Sequence, residues 1–165
     1  MVFNGKEEMI STFIECVSLL FKDEGGYVND ASDPGGETKY GISKRAYPNE
    51  NIKELSFDRA RALYKKDYWE KARCEELNEE IRYIHFDTAV NMGIRVSTKL
   101  LQKAAGLKDD GIFGQQTLLA SKNVTLKRYA EERIIHYNSI ISANPKLEKF
   151  RKGWMNRVDR IVNIK

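Results

Sequence analysis

Apolar side chains recur every three or four positions along most of this chain. Met9, Ile10, Phe13, Ile14, Val17, Leu20 and Phe21 make the first such stripe and predict an amphipathic helix. Asn4 followed by Glu7 supplies a start, and Gly25-Gly26 a stop. From Gly25 to Gly41 the rhythm vanishes. Five glycines, one proline, Asn29, Asp30, Ser32 and Asp33 crowd this stretch, which reads as a loop or short β-hairpin. Helical patterns then resume. Ser56 caps a run carrying Ala60, Leu63 and Tyr64 on one face and ending near Tyr68-Trp69. A second run, through Ile81, Ile84, Ala89 and Val90, ends near Gly93. A third runs from Val96 to Ala105 and is closed by Gly106. After a turn at Asp109–Gly114 come patterns at Gln115–Lys122 and Thr125–Ile141. Asn144-Pro145 breaks the chain, and Leu147, Phe150, Trp154, Val158, Ile161 and Val162 predict a final helix.

Composition sharpens this picture by exclusion. With 165 residues, 32% charged and 41% apolar, the chain has the size of one compact domain, or one domain with a small helical extension. It is neither a disordered tail nor a disulfide-dense mini-protein. Every long apolar stretch is interrupted by Glu, Lys or Ser, so no membrane span is predicted. Residues 1–25 lack the basic start and apolar core of a secretory signal peptide. The net charge of +4 permits an anionic partner without demanding one, and nothing points to nucleic acid. Cys16 and Cys74 lie far apart, outside any zinc-type spacing. They read as two buried thiols or a single disulfide. His85 and His136 have no triad or metal partner nearby in sequence. No GxSxG, HExxH, P-loop or dinucleotide fingerprint occurs.

The glycine-rich stretch carries the candidate chemistry. A long loop in a compact helical domain costs entropy without adding core, and such loops are usually functional. Glu24 closes the first helix, where the helix dipole and the apolar neighbours Phe21 and Tyr27 disfavour an ionised carboxylate. That setting suits a general acid. Asp33 follows nine residues later, with Asp30 and Glu37 close by. A proton-donating acid facing a second carboxylate is what glycoside hydrolysis needs. Simpler readings stand beside this one: Glu24 as a surface residue before a helix stop, and Asp33-Pro34-Gly35-Gly36 as a turn. A calcium loop is disfavoured because Asp30 to Glu37 lacks alternate-residue ligand spacing.

Three blocks in order, Glu24-Gly25-Gly26-Tyr27-Val28-Asn29-Asp30, Asp33-Pro34-Gly35-Gly36-Glu37-Thr38 and Tyr40-Gly41-Ile42-Ser43, resemble the signature of glycoside hydrolase family 108. These are lysozyme-like N-acetylmuramidases, often described as secretion activators and found in phages and secretion loci. The resemblance continues through Tyr68-Trp69, Asp87 to Gly93, Leu100-Leu101-Gln102, Asp110 to Gly114 and Gly153 to Arg157. Two departures are visible: Ala31 stands where the family has proline, and Gln115-Gln116 where it reads Gly-Pro. The first loosens a turn; the second touches the C-terminal segment.

The resemblance implies a mostly helical α+β fold, a lysozyme-like domain over 1–96 with a small β-hairpin at roughly 27–43. A peptidoglycan-binding-like helical extension over 97–165 would pack on it. It implies that Glu24 is the general acid on the β-1,4 bond between N-acetylmuramic acid and N-acetylglucosamine, that Asp33 is the second carboxylate, and that no metal or other cofactor is used. Tyr27, Thr38, Lys39 and Tyr40 would line the cleft. Trp69 would stack on a sugar face, although a residue at the end of an amphipathic helix is more often core. Asp87 and Asn91 share a helix face, which suits either substrate contact by Asn91 or a hydrogen-bond pair that positions the loop. Gln102, the Asp110 to Gly114 turn and Thr117 fit wall binding or simple packing and capping. The partner would be peptidoglycan glycan strands, reached from the bacterial or phage-infected cytoplasm with help from a holin or a secretion apparatus. A non-catalytic wall-binding or secretion-accessory protein using the same cleft is the rival reading, but pure binding has no need of a proton donor.

Overall fold

The computed structural model describes residues 10–23, 26–29 and 36–164. Helix α1 (Phe13–Asp23) leads into a three-stranded antiparallel sheet, β1 (Val28–Asn29), β2 (Glu37–Lys39) and β3 (Ile42–Ser43). Helix α2 (Phe57–Tyr64) runs on without a break into a π-helical turn at Lys65–Glu70. A 3₁₀ turn at Cys74–Glu76 precedes α3 (Glu79–Met92) and α4 (Ile94–Ala104). Then follow α5 (Gln115–Ser121), α6 (Leu126–Ala143), a 3₁₀ segment at Pro145–Phe150 and α7 (Arg151–Val162). Among the described residues no helix is long and apolar enough to cross a membrane.

Most boundaries follow from local chemistry. The Ser56 hydroxyl accepts a hydrogen bond from the Arg59 amide (3.1 Å), and the Thr125 hydroxyl one from the Arg128 amide (3.2 Å), each capping its helix. Gly93 (φ +91°) turns the corner between α3 and α4, and Gly106 (φ +72°) ends α4. Two ends differ from expectation. Asn4, Glu7 and Met9 lie outside the described residues, and Ile10 precedes the helix rather than joining it. The start of α1 is instead a capping box. The Thr12 hydroxyl accepts from the Glu15 amide (3.3 Å), while the Glu15 carboxylate accepts from the Thr12 (2.9 Å) and Ser11 (3.2 Å) amides. These bonds also hold the Glu15 carboxyl below its usual range. At the far end, Leu147 and Phe150 fall in the 3₁₀ segment, so the last α-helix begins only at Arg151. Pro145 and the Asn144 side chain, which accepts from the Lys146 amide (3.3 Å), tighten that turn.

Helix α3 is the axis of the molecule. Ile81, Tyr83, Ile84, His85, Phe86, Asp87, Thr88 and Ala89 are all buried, so it has no solvent stripe over its middle turns. It packs against α1, α4 and α6. Cys16 and Cys74 are both free and buried in the same core, and burial pushes the Cys16 thiol up to about 12. His85 is fully enclosed: Nε2 lies 3.0 Å from the Ala72 carbonyl and Nδ1 2.9 Å from the Tyr129 hydroxyl.

Candidate active site

Glu24 and Asp33, the two carboxylates singled out by sequence, lie outside the described residues, as does Asp30. The elements that flank them in sequence are described. Cys16, Val17, Leu20 and Phe21 bury one face of α1, which fixes the helix up to its end at Asp23. The sheet pairs Val28 with Thr38 and Asn29 with Glu37, then Thr38 with Ser43 and Lys39 with Ile42. Only Tyr40 and Gly41 connect β2 to β3, and both have positive φ (51° and 72°). That is the type I′ hairpin turn, whose twist suits paired strands and whose second position favours glycine.

An aromatic cluster ties this sheet to α1. The Tyr40 ring lies 5.6 Å from Phe21 and 5.9 Å from Phe57, and Phe21 in turn contacts Tyr64 edge-on at 5.2 Å. The Tyr64 hydroxyl donates to the Tyr40 carbonyl (2.9 Å). The turn that registers β2 against β3 is therefore anchored on the last full turn of α1. Edge-to-face pairs of this kind add about 0.5–1.5 kcal/mol each beyond their buried area.

The remaining expected contact residues divide into two groups. Tyr27 is exposed, and its hydroxyl donates to Glu37 Oε1 (2.7 Å), linking β1 to β2. That bond raises the Tyr27 hydroxyl above its usual range. Thr38 occupies the middle of β2, half-buried. Lys39 Nζ donates to the Lys53 carbonyl (3.0 Å) and lies 5.6 Å from the Tyr40 ring centre, and Tyr40 itself serves as the anchor just described. Tyr27, Glu37, Thr38, Lys39 and Tyr40 thus share one small sheet, directly before and after the undescribed segments. Trp69 requires correction: it is 2% exposed and belongs to the core. Its ring meets Phe13 (5.5 Å) and Phe86 (5.4 Å) edge-on, and its Nε1–H donates to Glu75 (3.1 Å). No face is left for a sugar.

Asn91 is exposed at the end of α3, and it does not bond Asp87 directly. The link between them runs through α6. Asp87 Oδ2 accepts from Arg133 Nη1 (2.6 Å), Arg133 Nη2 donates to the Tyr137 hydroxyl (3.1 Å), and that hydroxyl donates to Asn91 Oδ1 (2.7 Å). Arg157 from α7 grips the same carboxylate with Nε and Nη2, at 2.9–3.1 Å. Sequence reasoning overlooked Arg133, which is fully buried. A signal existed: Tyr129, Arg133, Tyr137 and Ile141 are spaced four apart, so a charge stands within the apolar stripe of α6.

In the C-terminal half, Gln102 and Thr117 are internal. Gln102 Nε2 donates to Asp110 Oδ1 (2.8 Å), to the Ile112 carbonyl (3.1 Å) and to the Thr117 hydroxyl (3.1 Å), while its Oε1 accepts from the Gly111 amide (2.9 Å). Gly111 has φ +76°, and a Cβ there would meet the Arg95 side chain at 2.9 Å. These residues hold a turn together, which is the packing reading. The turn docks onto the first half of the chain: Arg73 Nη1 donates to the Phe113 carbonyl (2.9 Å), with its guanidinium 4.7 Å from the Phe113 ring centre.

Comparison with known proteins agrees with this arrangement. Residues 17–93 match the family described as Glycosyl hydrolase 108, and residues 96–159 match the Predicted Peptidoglycan domain. No curated protein matches the chain. Among solved structures, the one described as "Structure of Brucella abortus SagA" shares 30% identity at a TM-score of 0.75, covering 90% of this chain and 90% of that one. The lysozyme-like, mostly helical α+β architecture expected from sequence is the one adopted. At that identity, over nearly the full length of both chains, the likeness reaches beyond fold, and the chain belongs to the glycosyl hydrolase 108 family.

Proposed function

We propose that this protein is an N-acetylmuramidase that hydrolyses the β-1,4 bond between N-acetylmuramic acid and N-acetylglucosamine in peptidoglycan. The observation that carries the reading is the succession on one chain of a glycosyl hydrolase 108 match over 17–93 and a peptidoglycan domain match over 96–159. The first match contains both Glu24 and Asp33. Glu24 is the general acid that protonates the leaving glycosidic oxygen, and Asp33 is the second carboxylate, acting on the water or on the developing positive charge. Tyr27, Thr38, Lys39 and Asn91 supply contacts to the glycan, and no metal or organic cofactor takes part. Residues 1–96 form the hydrolytic unit and 97–165 a wall-directed extension packed on it. The site of action is the cell wall, with a holin or a secretion apparatus as the delivery route.

The test is turbidity loss of purified cell walls with wild type and Glu24→Gln. An amide of equal size removes the proton donor, and general acid catalysis contributes about 10²–10⁴-fold. The expected result is a fall of at least about a hundredfold with unchanged thermal stability, and equal rates in EDTA for wild type. Wall binding without hydrolysis by wild type would replace this reading with that of a non-catalytic wall-binding protein, and full activity in the variant would remove Glu24 as the general acid.

A further inference from the structure

The hydrogen-bond chain that ends at Asn91 has a direction, and the direction decides what Asn91 can recognise. A guanidinium only donates, so the Tyr137 oxygen is the acceptor of Arg133 Nη2. The one hydroxyl proton of Tyr137 then points to Asn91 Oδ1 (2.7 Å). Turning the Asn91 amide over would leave that proton facing an NH₂ group, with no acceptor for it among the described residues. Tyr137 cannot swing away to relieve this. It is buried, its ring is stacked on Trp154 (centroids 4.8 Å, 18° between planes), and Trp154 is stacked on Phe150 (5.9 Å, 20°). Behind it Arg133 is fully buried and held by Asp87, which Arg157 grips from α7. An exposed amide on a helix end ordinarily rotates freely. Here its oxygen is spoken for, which leaves Nδ2, a donor to no described residue, for a ligand.

Helix α7 connects the Asn91 end of α3 to α1. Helix α7 grips Asp87, one turn before Asn91, through Arg157. Two turns further on it meets α1 across a recess of about 380 Å³ lined by Leu19, Lys22, Asp159, Arg160, Asn163 and Ile164.

We propose that Asn91 is a specificity-determining residue whose Nδ2–H donors bind an amide carbonyl of the ligand, and that Tyr137 and Arg133 are positioning residues that lock it in the donating orientation. Neutral N–H donors reject a cation and require an oxygen acceptor, and a carbonyl oxygen offers two lone pairs with no proton of its own to place. In peptidoglycan such a carbonyl occurs on the acetamido group of each amino sugar and along the stem peptide. The substrate class rests on the muramidase reading; the donor orientation does not.

The test titrates full-length ¹⁵N-labelled protein with three probes: an N-acetylglucosamine tetramer, its de-N-acetylated counterpart and a free stem tetrapeptide. The Asn91 side-chain NH₂ pair is expected to shift with the acetylated tetramer or with the tetrapeptide. Either identifies the source of the carbonyl. A shift with the de-N-acetylated sugar alone, or with none of the three, overturns the proposal. Asn91→Asp and Tyr137→Phe should each weaken binding about fivefold, the value of one neutral hydrogen bond. Both should raise KM on walls while sparing kcat, and Tyr137→Phe should shrink the shift that the bound probe induces in the NH₂ pair. Equal losses in kcat and kcat/KM would show a role other than orientation and overturn it. If walls are cleaved but the amide responds to nothing, this inference alone fails; if the amide responds and walls are not cleaved, the muramidase reading alone fails.

Discussion

The small sheet and the α3–α6–α7 junction are built on opposite principles. The sheet is short and half-exposed. It is held by an aromatic anchor at Tyr40, a two-residue turn and a few polar bonds at its rim. The junction is closed around one buried carboxylate, Asp87, which the fully buried Arg133 and the partly exposed Arg157 share. The sheet region costs little to deform, whereas the junction is an all-or-none arrangement, because each buried charge is tolerable only while its partners are in place. The candidate chemistry lies beside the compliant region, and the residue proposed to read the ligand hangs from the rigid one.

The hardest blow to that contrast is Asp87→Asn. It leaves two arginines facing a neutral amide in a dry site, and breaking a buried pair in this way costs about 3–5 kcal/mol. Urea unfolding should show a loss of that size, with the folded fraction of the variant setting any fall in wall hydrolysis. A loss below about 1 kcal/mol would mean that the junction is wetter and softer than its burial indicates.

A second break comes from pH. His85 of α3 lies between Tyr129 of α6 and the Ala72 carbonyl, and desolvation depresses its pKa from the ordinary 6.5 to about 4. Between those values the unfolded chain binds a proton that the folded chain refuses. The stabilisation is therefore complete above about pH 6.5 and is lost as pH falls toward 4. The loss should reach about 2 kcal/mol by pH 5. Chemical denaturation at pH 7.5 and pH 5, wild type against His85→Gln, isolates it, since the carboxylates contribute equally to both. Parallel pH profiles for the two proteins would remove His85 from the account.

Gly41→Ala probes the compliant side. The glycine holds φ +72° in the two-residue turn, and a Cβ there costs about 1–2 kcal/mol. The expected result is a small drop in thermal stability together with a severalfold loss of wall hydrolysis, because the turn sets the register of β2, where Glu37, Thr38 and Lys39 stand. A change in stability with hydrolysis untouched would separate the sheet from the site.

How far sequence alone reached is plain from particular elements. Ser56, Gly93, Gly106, Thr125 and Asn144-Pro145 mark ends of helices where they were read, since caps and breakers act within a turn of themselves. The end of the glycine-rich stretch forms a hairpin for the same reason: Tyr40-Gly41 carries its own turn chemistry between β2 and β3. The pairing of Glu24 with Asp33 remains a reading of sequence and family. What local pattern could not supply was partnership at a distance. Asp87 meets Arg133 at a separation of 46 and Arg157 at a separation of 70. Trp69 lost its sugar-facing reading to Phe13 and Phe86, which the chain brings from both directions. Periodicity states which face of a helix is buried; only the packing of α1, α3, α6 and α7 decides which charge or ring that face meets, because burial removes the water that would otherwise leave such groups indifferent to one another.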